Sequence, residues 1–593
     1  MARRTGGKMP RRGTNPLQRS VTVDGMHIDY DVPIPMDDGV ILRADVFRPA
    51  VEGRYPVILS YGPYAKGLPY QVGYPDQWHA LVRDFPEVAR GSTCRYQNWE
   101  VVDPEKWVPH GYACVRVDSR GAGRSPGLLD IFSPRETRDF AACIEWAAGQ
   151  PWSSGRVGLN GISYYAINQW LVAGLQPPHL AAICAWEGAA DYYRDWHRHG
   201  GILCTFTGAW FKAQVETVQH GVGARGPVNP HTGELVAGPE TLPEHELAQN
   251  RVDPLRQALL RELDGPWYRE RSADWSRITV PLLSAGNWGG QGLHLRGNVE
   301  AFVRAASAQK WLEIHGHAHW THFSTDYGLA LQRRFFDHFL KGLDNGWERE
   351  PRVLLNIRRV DGFVLRKEHE WPLARTRWTR LYLDPARRTL GQEPPAAQSW
   401  VEYAPLQEGV AFRTPPFEAE TEITGPLAAR LFIASTTSDA DLFLVIRLLD
   451  PSGVEVTFTG AVEPRAPIAQ GWLRASHRKL DLHLSTPYRP YHTHDEIQPL
   501  VPGRVYEVQV EIWPTCIVVP PGYSLELLVQ GRDFQREMPS GDLGPWSGLR
   551  GSGPFLHDHP WDRRPEVYGG QVRVYGGGDT ASYLLLPVIP GEA

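Results

Sequence analysis

Apolar residues follow two successive rhythms along this chain, and the change of rhythm divides it. Between residues 21 and 48 short apolar runs alternate around Asp38-Gly39. Both positions of that pair tolerate positive φ, so a hairpin at the antiparallel entry to a sheet is predicted. Six short, nearly unalternated apolar runs follow: Pro56–Ser60, Ala113–Asp118, Val157–Asn160, Ala181–Trp186, Pro281–Ala285 and Trp311–Ile314. Strands of this kind are covered on both faces. Helical spacing separates several of them, as from Arg135 to Ala148 with Phe140, Ile144 and Trp146, and from Leu293 to Ala306. Strands alternating with helices predict a parallel, doubly wound sheet. Residues 191–277 break the rhythm with aromatics, Gly, Pro and an acidic segment. They read as a cap inserted over the sheet's carboxyl edge, where ligands bind in such folds.

Beyond the helix predicted over Asp326–Leu340 and its Lys341-Gly342 stop, helical patterning nearly disappears. Strand-like runs replace it at Val353–Ile357, Leu381–Leu383, Ala429–Ala434, Leu442–Leu449, Val505–Ile512, Leu525–Val529 and Tyr583–Leu586, with turns such as Pro451-Ser452-Gly453 and Pro520-Pro521-Gly522 between them. An all-β domain of sandwich or jelly-roll type is predicted. The expected organisation is a flexible basic tail over 1–20, an α/β core over 21–190 and 278–345, the cap over 191–277, and the β domain over 346–593.

Composition narrows the function classes. A chain of 593 residues exceeds one comfortable core, and 42% hydrophobic with 22% charged residues is a globular balance. A formal charge of −5 over this length implies neither a nucleic-acid footprint nor a polybasic membrane patch, which leaves a small molecule as the expected partner, alone or in a homo-oligomer. The basic start (Arg3, Arg4, Lys8, Arg11, Arg12, Arg19) lacks the apolar stretch of a signal peptide, and no run of about 18 apolar residues occurs elsewhere. Six cysteines without a CxxC pair read as buried thiols of a cytoplasmic protein.

The strongest chemical signal is the strand Val157–Asn160 running into Gly161-Ile162-Ser163, with a helix beginning directly after. A serine on so sharp a strand-to-helix turn needs a small residue two places before it, and it projects from the sheet's carboxyl edge beside the orphan N–H groups of the helix. That position suits a nucleophile whose oxyanion is held by the backbone N–H of the next residue, Tyr164. The second glycine of a full GxSxG is replaced by Tyr165. On the bare pattern a simple helix N-cap reads equally well.

The segment Gly161-Ile162-Ser163-Tyr164-Tyr165-Ala166, followed by Gln169-Trp170, resembles the nucleophile motif of the cocaine esterase and X-prolyl dipeptidyl peptidase family of serine hydrolases, with Ala166 departing from its final glycine. Gly111-Tyr112, Asp118-Ser119-Arg120-Gly121, Pro151-Trp152, the stretch Gly471–Ser476 and the region Asp439–Leu449 extend the resemblance from about residue 28 onward. It implies an α/β-hydrolase core with a helical cap and a C-terminal jelly roll, and acyl transfer to water on an ester or amide without a cofactor. It also implies an oxyanion donor from a tyrosine hydroxyl, which Gly62-Pro63-Tyr64 places at Tyr64, and a general base in His315-Gly-His317-Ala-His319-Trp-Thr-His322, which the family's turn places at His319. His317 is the substitute, with His315 and His322 lining the loop.

One family feature is missing. Relatives carry an aspartate after the strand that here ends at Ala285, but the loop Gly286-Asn-Trp-Gly-Gly-Gln-Gly292 has Gly289 at that place. The strand Ala181–Trp186 is expected to lie alongside and ends in Glu187, so Glu187 is predicted as the orienting acid, ahead of Asp191 and Asp326. An ester hydrolase is preferred to an X-prolyl aminopeptidase, because the sequence shows no counterpart of the long amino-terminal helical domain of the larger peptidases. The cap aromatics Tyr192, Tyr193, Trp196, Phe206, Trp210 and Phe211 suit an apolar acyl or alcohol group, or the core of the cap itself. Rival readings are a metallohydrolase ligated by His315, His317 and His319, and an inactive carbohydrate-binding protein. The paired histidines His492/His494 and His557/His559 read as solvated loop residues.

Overall fold

The computed structural model describes residues 18–407, 409–536 and 552–591; the basic tail, up to residue 17, lies outside them. An eleven-stranded sheet forms the first layer of organisation. Its antiparallel entry pairs Met26–Pro35 with Ile41–Pro49, and the turn between them closes through Met36 N–H to Val40 O, 2.8 Å, with Gly39 at φ +85°. The core strands then run parallel in the spatial order Ala113–Asp118, Tyr55–Gly62, Ser153–Ile162, Leu180–Trp186, Leu282–Asn287, Lys310–His315. They are buried almost throughout, as their unbroken apolar runs demand. Helices cover both faces. Pro134–Ala148 starts on a Ser133 cap with Pro134 at its first turn, and Asp326–Lys341 ends on Gly342 at φ +70°.

The sheet continues further than the sequence pattern indicates. Val353–Arg359 pairs in parallel with Lys310–His315, and Gly362–Glu368 folds back on it as a hairpin. The run at Val353 therefore completes one more strand–helix–strand unit of the first sheet, and the second sheet begins at Arg377. An apolar run of this length reads alike in either setting, so periodicity could not decide. Among the described residues the second sheet has twelve strands, nearly all antiparallel, and the pairing of Thr421–Ser435 with Tyr583–Ile589 closes most of them into a ring.

Between the strands Leu180–Trp186 and Leu282–Asn287, where the cap is expected over 191–277, the chain runs largely through short helical turns, among them the π-helical Tyr192–His197 and Phe211–Val215 and the helices Glu244–Gln249 and Pro254–Leu259. This stretch packs against the β domain through buried charge: Arg198 and Arg474 converge on Asp562, and Arg194 reaches the carbonyls of His492 and Thr493. This packing corrects the reading of the paired histidines. His492, His494 and His557 are 5%, 2% and 0% exposed, buried where the two domains meet; His559 alone keeps partial exposure.

Candidate active site

Ser163 ends the strand Ser153–Ile162 at φ +55°, ψ −113°, and the helix Tyr164–Gly174 begins at the next residue. A non-glycine residue in that region carries on the order of 1–3 kcal/mol of strain, sustained only where the surroundings over-determine it. Here the Ser163 N–H donates to the carbonyls of Trp186 (3.0 Å) and Glu187 (3.1 Å), tying the turn to the end of the next strand. Gly161 is required, because a Cβ there would overlap Tyr165 Cβ and press on Glu100 O. The main-chain N–H of Tyr164 opens the helix and has no intrahelical acceptor. The Tyr164 side chain points away from that N–H, with its hydroxyl donating to Glu136 at 2.7 Å and its ring stacked on Phe132 at 4.1 Å.

Parallel register brings the strand ends that lead to Ser163, Glu187 and His319 to the same edge. Ile162 pairs with Trp186, Trp186 with Ala285, and Asn287 with His315. Glu187, at φ +51°, thus stands one residue beyond the strand beside Ser163. Its Oε2 lies 2.8 Å from His319 Nδ1, and its Oε1 accepts from His315 Nε2 at 3.0 Å and Asn287 Nδ2 at 3.1 Å. Burial opposes its charge, but His319 and His315 hold its carboxyl below the ordinary range. His315 does more than line the loop, since its other nitrogen meets Glu313 at 2.7 Å.

At Gly289 the structure leaves no room for a side chain. A Cβ at that position would overlap Gly460 Cα and come within 2.7 Å of Ala461 N. The β domain lies directly on this loop, with Ala461 N–H donating to Gly289 O at 3.1 Å and His319 N–H to Ala461 O at 2.8 Å. A carboxylate has no room there. Asp191 instead caps the turn Tyr192–His197 and pairs with Arg194, and Asp326 sits exposed near Arg90, so neither reaches His319. His315 and His319 each turn both nitrogens toward carboxylates, and among the described residues these two do not converge with His317 on a common point.

Ser163, Tyr64 and His319 line one cavity of about 520 Å³, walled by Trp99, Trp196, Phe206, Trp210, Leu293 and Phe555. Trp196, Phe206 and Trp210 are the cap aromatics that reach it. A larger cavity, of about 1050 Å³, opens near Arg19, Arg95 and Arg124 without any of these groups, and the chemistry selects the smaller one. Tyr64 is 3% exposed, and its oxygen accepts from Trp210 Nε1 at 3.0 Å, which leaves its own O–H free to donate into the cavity. Burial pushes that phenol well above its ordinary pKa, so it stays a donor.

Sequence reasoning missed Glu100. Its Oε1 lies 2.9 Å from His319 Nε2, on the nitrogen opposite Glu187. Burial pushes its carboxyl up to about 7 against the pull of His319. Burial works against a charged His319 as well, but Glu187 and Glu100 outweigh it and raise the imidazole to about 10. The available signal was an acid inside the apolar stretch Trp99-Glu100-Val101-Val102. His294 was also missed; it stacks on His319 at 5.2 Å while its Nδ1 accepts from Ala189 N–H.

The sequence pattern of the X-Pro dipeptidyl-peptidase S15 family matches residues 38–324, and that of the X-Pro dipeptidyl-peptidase C-terminal non-catalytic domain matches 345–548. The chain is 24% identical to the cocaine esterase of Rhodococcus sp. (strain MB1 Bresler), across 96% of this chain and 100% of that one. It is 24% identical to a putative Xaa-Pro dipeptidyl-peptidase of Streptomyces avermitilis, across 88% and 80%. A crystal structure of a CocE/NonD family hydrolase from Staphylococcus aureus superposes with a TM-score of 0.80 at 31% identity, over 96% of this chain and 97% of that one. With the Ser163 turn, the buried acid–base pair and these likenesses in agreement, the chain belongs to the CocE/NonD family of serine hydrolases, relatives of the cocaine esterases and Xaa-Pro dipeptidyl-peptidases.

Proposed function

We propose that the protein is a carboxylic ester hydrolase working through an acyl-enzyme on Ser163, with His319 as general base and Glu187 as the orienting acid. The observation that carries this reading is the strained Ser163 turn sharing a cavity with a histidine whose Nδ1 is held by a fully buried carboxylate. Ser163 Oγ attacks the substrate carbonyl while His319 Nε2 takes its proton. The oxyanion faces the Tyr164 N–H and the Tyr64 O–H. His319 then returns the proton to the leaving alcohol, and a water attacks the acyl-enzyme by the same route. Nε2 serves this role only when Glu100 releases it. We read the β domain as a jelly roll and the protein as cytoplasmic. In support, the second sheet largely closes on itself, all six cysteines are free and buried, and no described helix is long and apolar enough to cross a membrane.

A second reading, release of X-prolyl dipeptides, draws on Glu100, whose buried Oε2 has no hydrogen-bond partner among the described residues and stands ready for a substrate ammonium. Turnover of chromogenic acyl esters beside Xaa-Pro amides separates the two, and exclusive amide cleavage overturns the first. Tyr64→Phe is expected to slow acylation by about 10²–10³ with little change in substrate affinity, because the lost hydroxyl acts on the oxyanion. Pre-steady-state kinetics check this, and an effect on affinity alone would make Tyr64 a pocket wall.

Glu100 also sets the expected pH dependence. With His319 raised to about 10, kcat/KM is expected to climb with pH above neutral, as the base loses its proton. Removing a carboxylate from an imidazolium lowers its pKa, by about 1–3 units for a close pair. In Glu100→Gln the acid limb of kcat/KM should accordingly move to lower pH. A limb that stays in place would detach Glu100 from the base.

A further inference from the structure

Apart from Ser163 and its partners, the structure gathers a second set of chemically active side chains between the cap and the β domain. His199 Nδ1 lies 2.8 Å from His557 Nε2, and one nitrogen of each ring and Cys204 Sγ all fall within 4.8 Å of one another. All three residues are 0–1% exposed.

Their outer hydrogen bonds bear on which nitrogens carry protons. Asp533 accepts the His557 main-chain N–H on Oδ2, 2.6 Å, and ring Nδ1 on Oδ1, 2.8 Å. A carboxylate only accepts, so the His557 proton sits on Nδ1 and the lone pair on Nε2. His199 Nε2 faces the Asp195 carbonyl at 3.2 Å, another acceptor, which favours the tautomer with its proton on Nε2 and its lone pair on Nδ1. Two lone pairs therefore point at each other across 2.8 Å. A metal ion between them, or a proton on one of the two facing nitrogens, turns that repulsion into attraction.

We propose that His199, Cys204 and His557 form a structural zinc site joining the cap to the β domain. Two neutral imidazoles and a thiol are a donor set suited to that ion, and Asp533 behind His557 is the outer carboxylate that metal-bound histidines usually have. Zn–N bonds of about 2.0–2.1 Å in a tetrahedron set the nitrogens about 3.3 Å apart. The present 2.8 Å would have to open by about half an ångström. On binding, the Cys204 thiol releases its proton to solvent as the S–Zn bond forms, and both imidazoles bind through lone pairs they already present. Three protein donors leave the fourth position to a water. The consequence for the ester site is mechanical. Cys204 is two residues from Phe206 and His557 two from Phe555, and those two rings meet at 5.0 Å on the wall of the Ser163 cavity.

The test is metal analysis of the full chain purified without a histidine tag. About one zinc per chain is expected, retained through dialysis and lost from Cys204→Ser. Cobalt loaded into the wild type should give a thiolate-to-cobalt charge-transfer band that Cys204→Ser lacks, and zinc should raise the Tm of chelator-treated protein. The cobalt spectrum is read on the wild type, so it stands even if the variant fails to fold. Wild-type protein that holds neither zinc as purified nor cobalt after loading overturns the proposal in favour of the proton on one of the two nitrogens, and copper in the site overturns the choice of ion.

Discussion

Ser163→Ala is expected to remove hydrolysis, with kcat falling by about 10⁴–10⁶ and the fold unchanged. The size follows from what the hydroxyl supplies. Without Oγ there is no acyl-enzyme, and only binding and the oxyanion donors remain to act on a bound water. The fold should hold because the interactions that fix the turn belong to the main chain: the Ser163 N–H to Trp186 O and Glu187 O, and the helix bonds of Ala166 and Ile167 N–H to Ser163 O. Alanine meets the same positive φ with a Cβ of the same size, so it adds no strain that serine lacks. The measurement is a burst experiment with a chromogenic ester on purified protein, beside a thermal melt. Retained turnover in a folded variant would remove Ser163 from the chemistry, and loss of the fold would show that Oγ carries packing.

The parts of the site that are legible in sequence are those that local rules determine. The turn at Ser163 is announced by a strand, a required glycine and a helix start, all within a few residues. Glu187 can be placed because strand ends in a parallel sheet share an edge, and the register of Trp186 with Ala285 is that relation. Gly289 shows that the usual acid is missing but not why. The reason lies about 170 residues away, in the backbone of Gly460 and Ala461 pressing on that loop. Glu100 is hidden for the same kind of cause. Its loop, between two core strands, returns over the site to accept the Ile162 N–H on its carbonyl and to bring its carboxyl to His319. No spacing rule connects residue 100 to residue 319. Phe555 and Val462 likewise enter the cavity from a domain that periodicity marks only as β. The strand at Val353 falls to the wrong sheet in a reading of the pattern because a short apolar run carries no record of its neighbours.

Glu187→Gln tests the orienting role proposed for Glu187, and the expected loss in kcat is about 10⁴. Which atoms can turn to which partners decides the outcome. Asn287 is fixed as a donor toward Glu187, since its Oδ1 accepts from Gly289 N–H at 2.8 Å and its Nδ2 also donates to His317 O at 2.9 Å. A glutamine at 187 therefore keeps its oxygen on the side of Asn287 and His315 and turns its NH₂ toward His319 Nδ1. That contact is favourable only if Nδ1 gives up its proton and accepts. The imidazole is then left with its proton on Nε2, the tautomer that cannot take the proton of Ser163. A merely structural role for Glu187 would lower stability without this signature, so the readout pairs acylation rate with pH. Losing the buried carboxylate should lower the His319 pKa from about 10, moving the acid limb of kcat/KM to lower pH even as the plateau collapses. Glu187→Asp keeps the acceptor but is shorter by one methylene, and is expected to recover part of the rate. A folded Glu187→Gln protein with unimpaired acylation would exclude Glu187 as the orienting acid and turn attention to Glu100, the other carboxylate on this histidine.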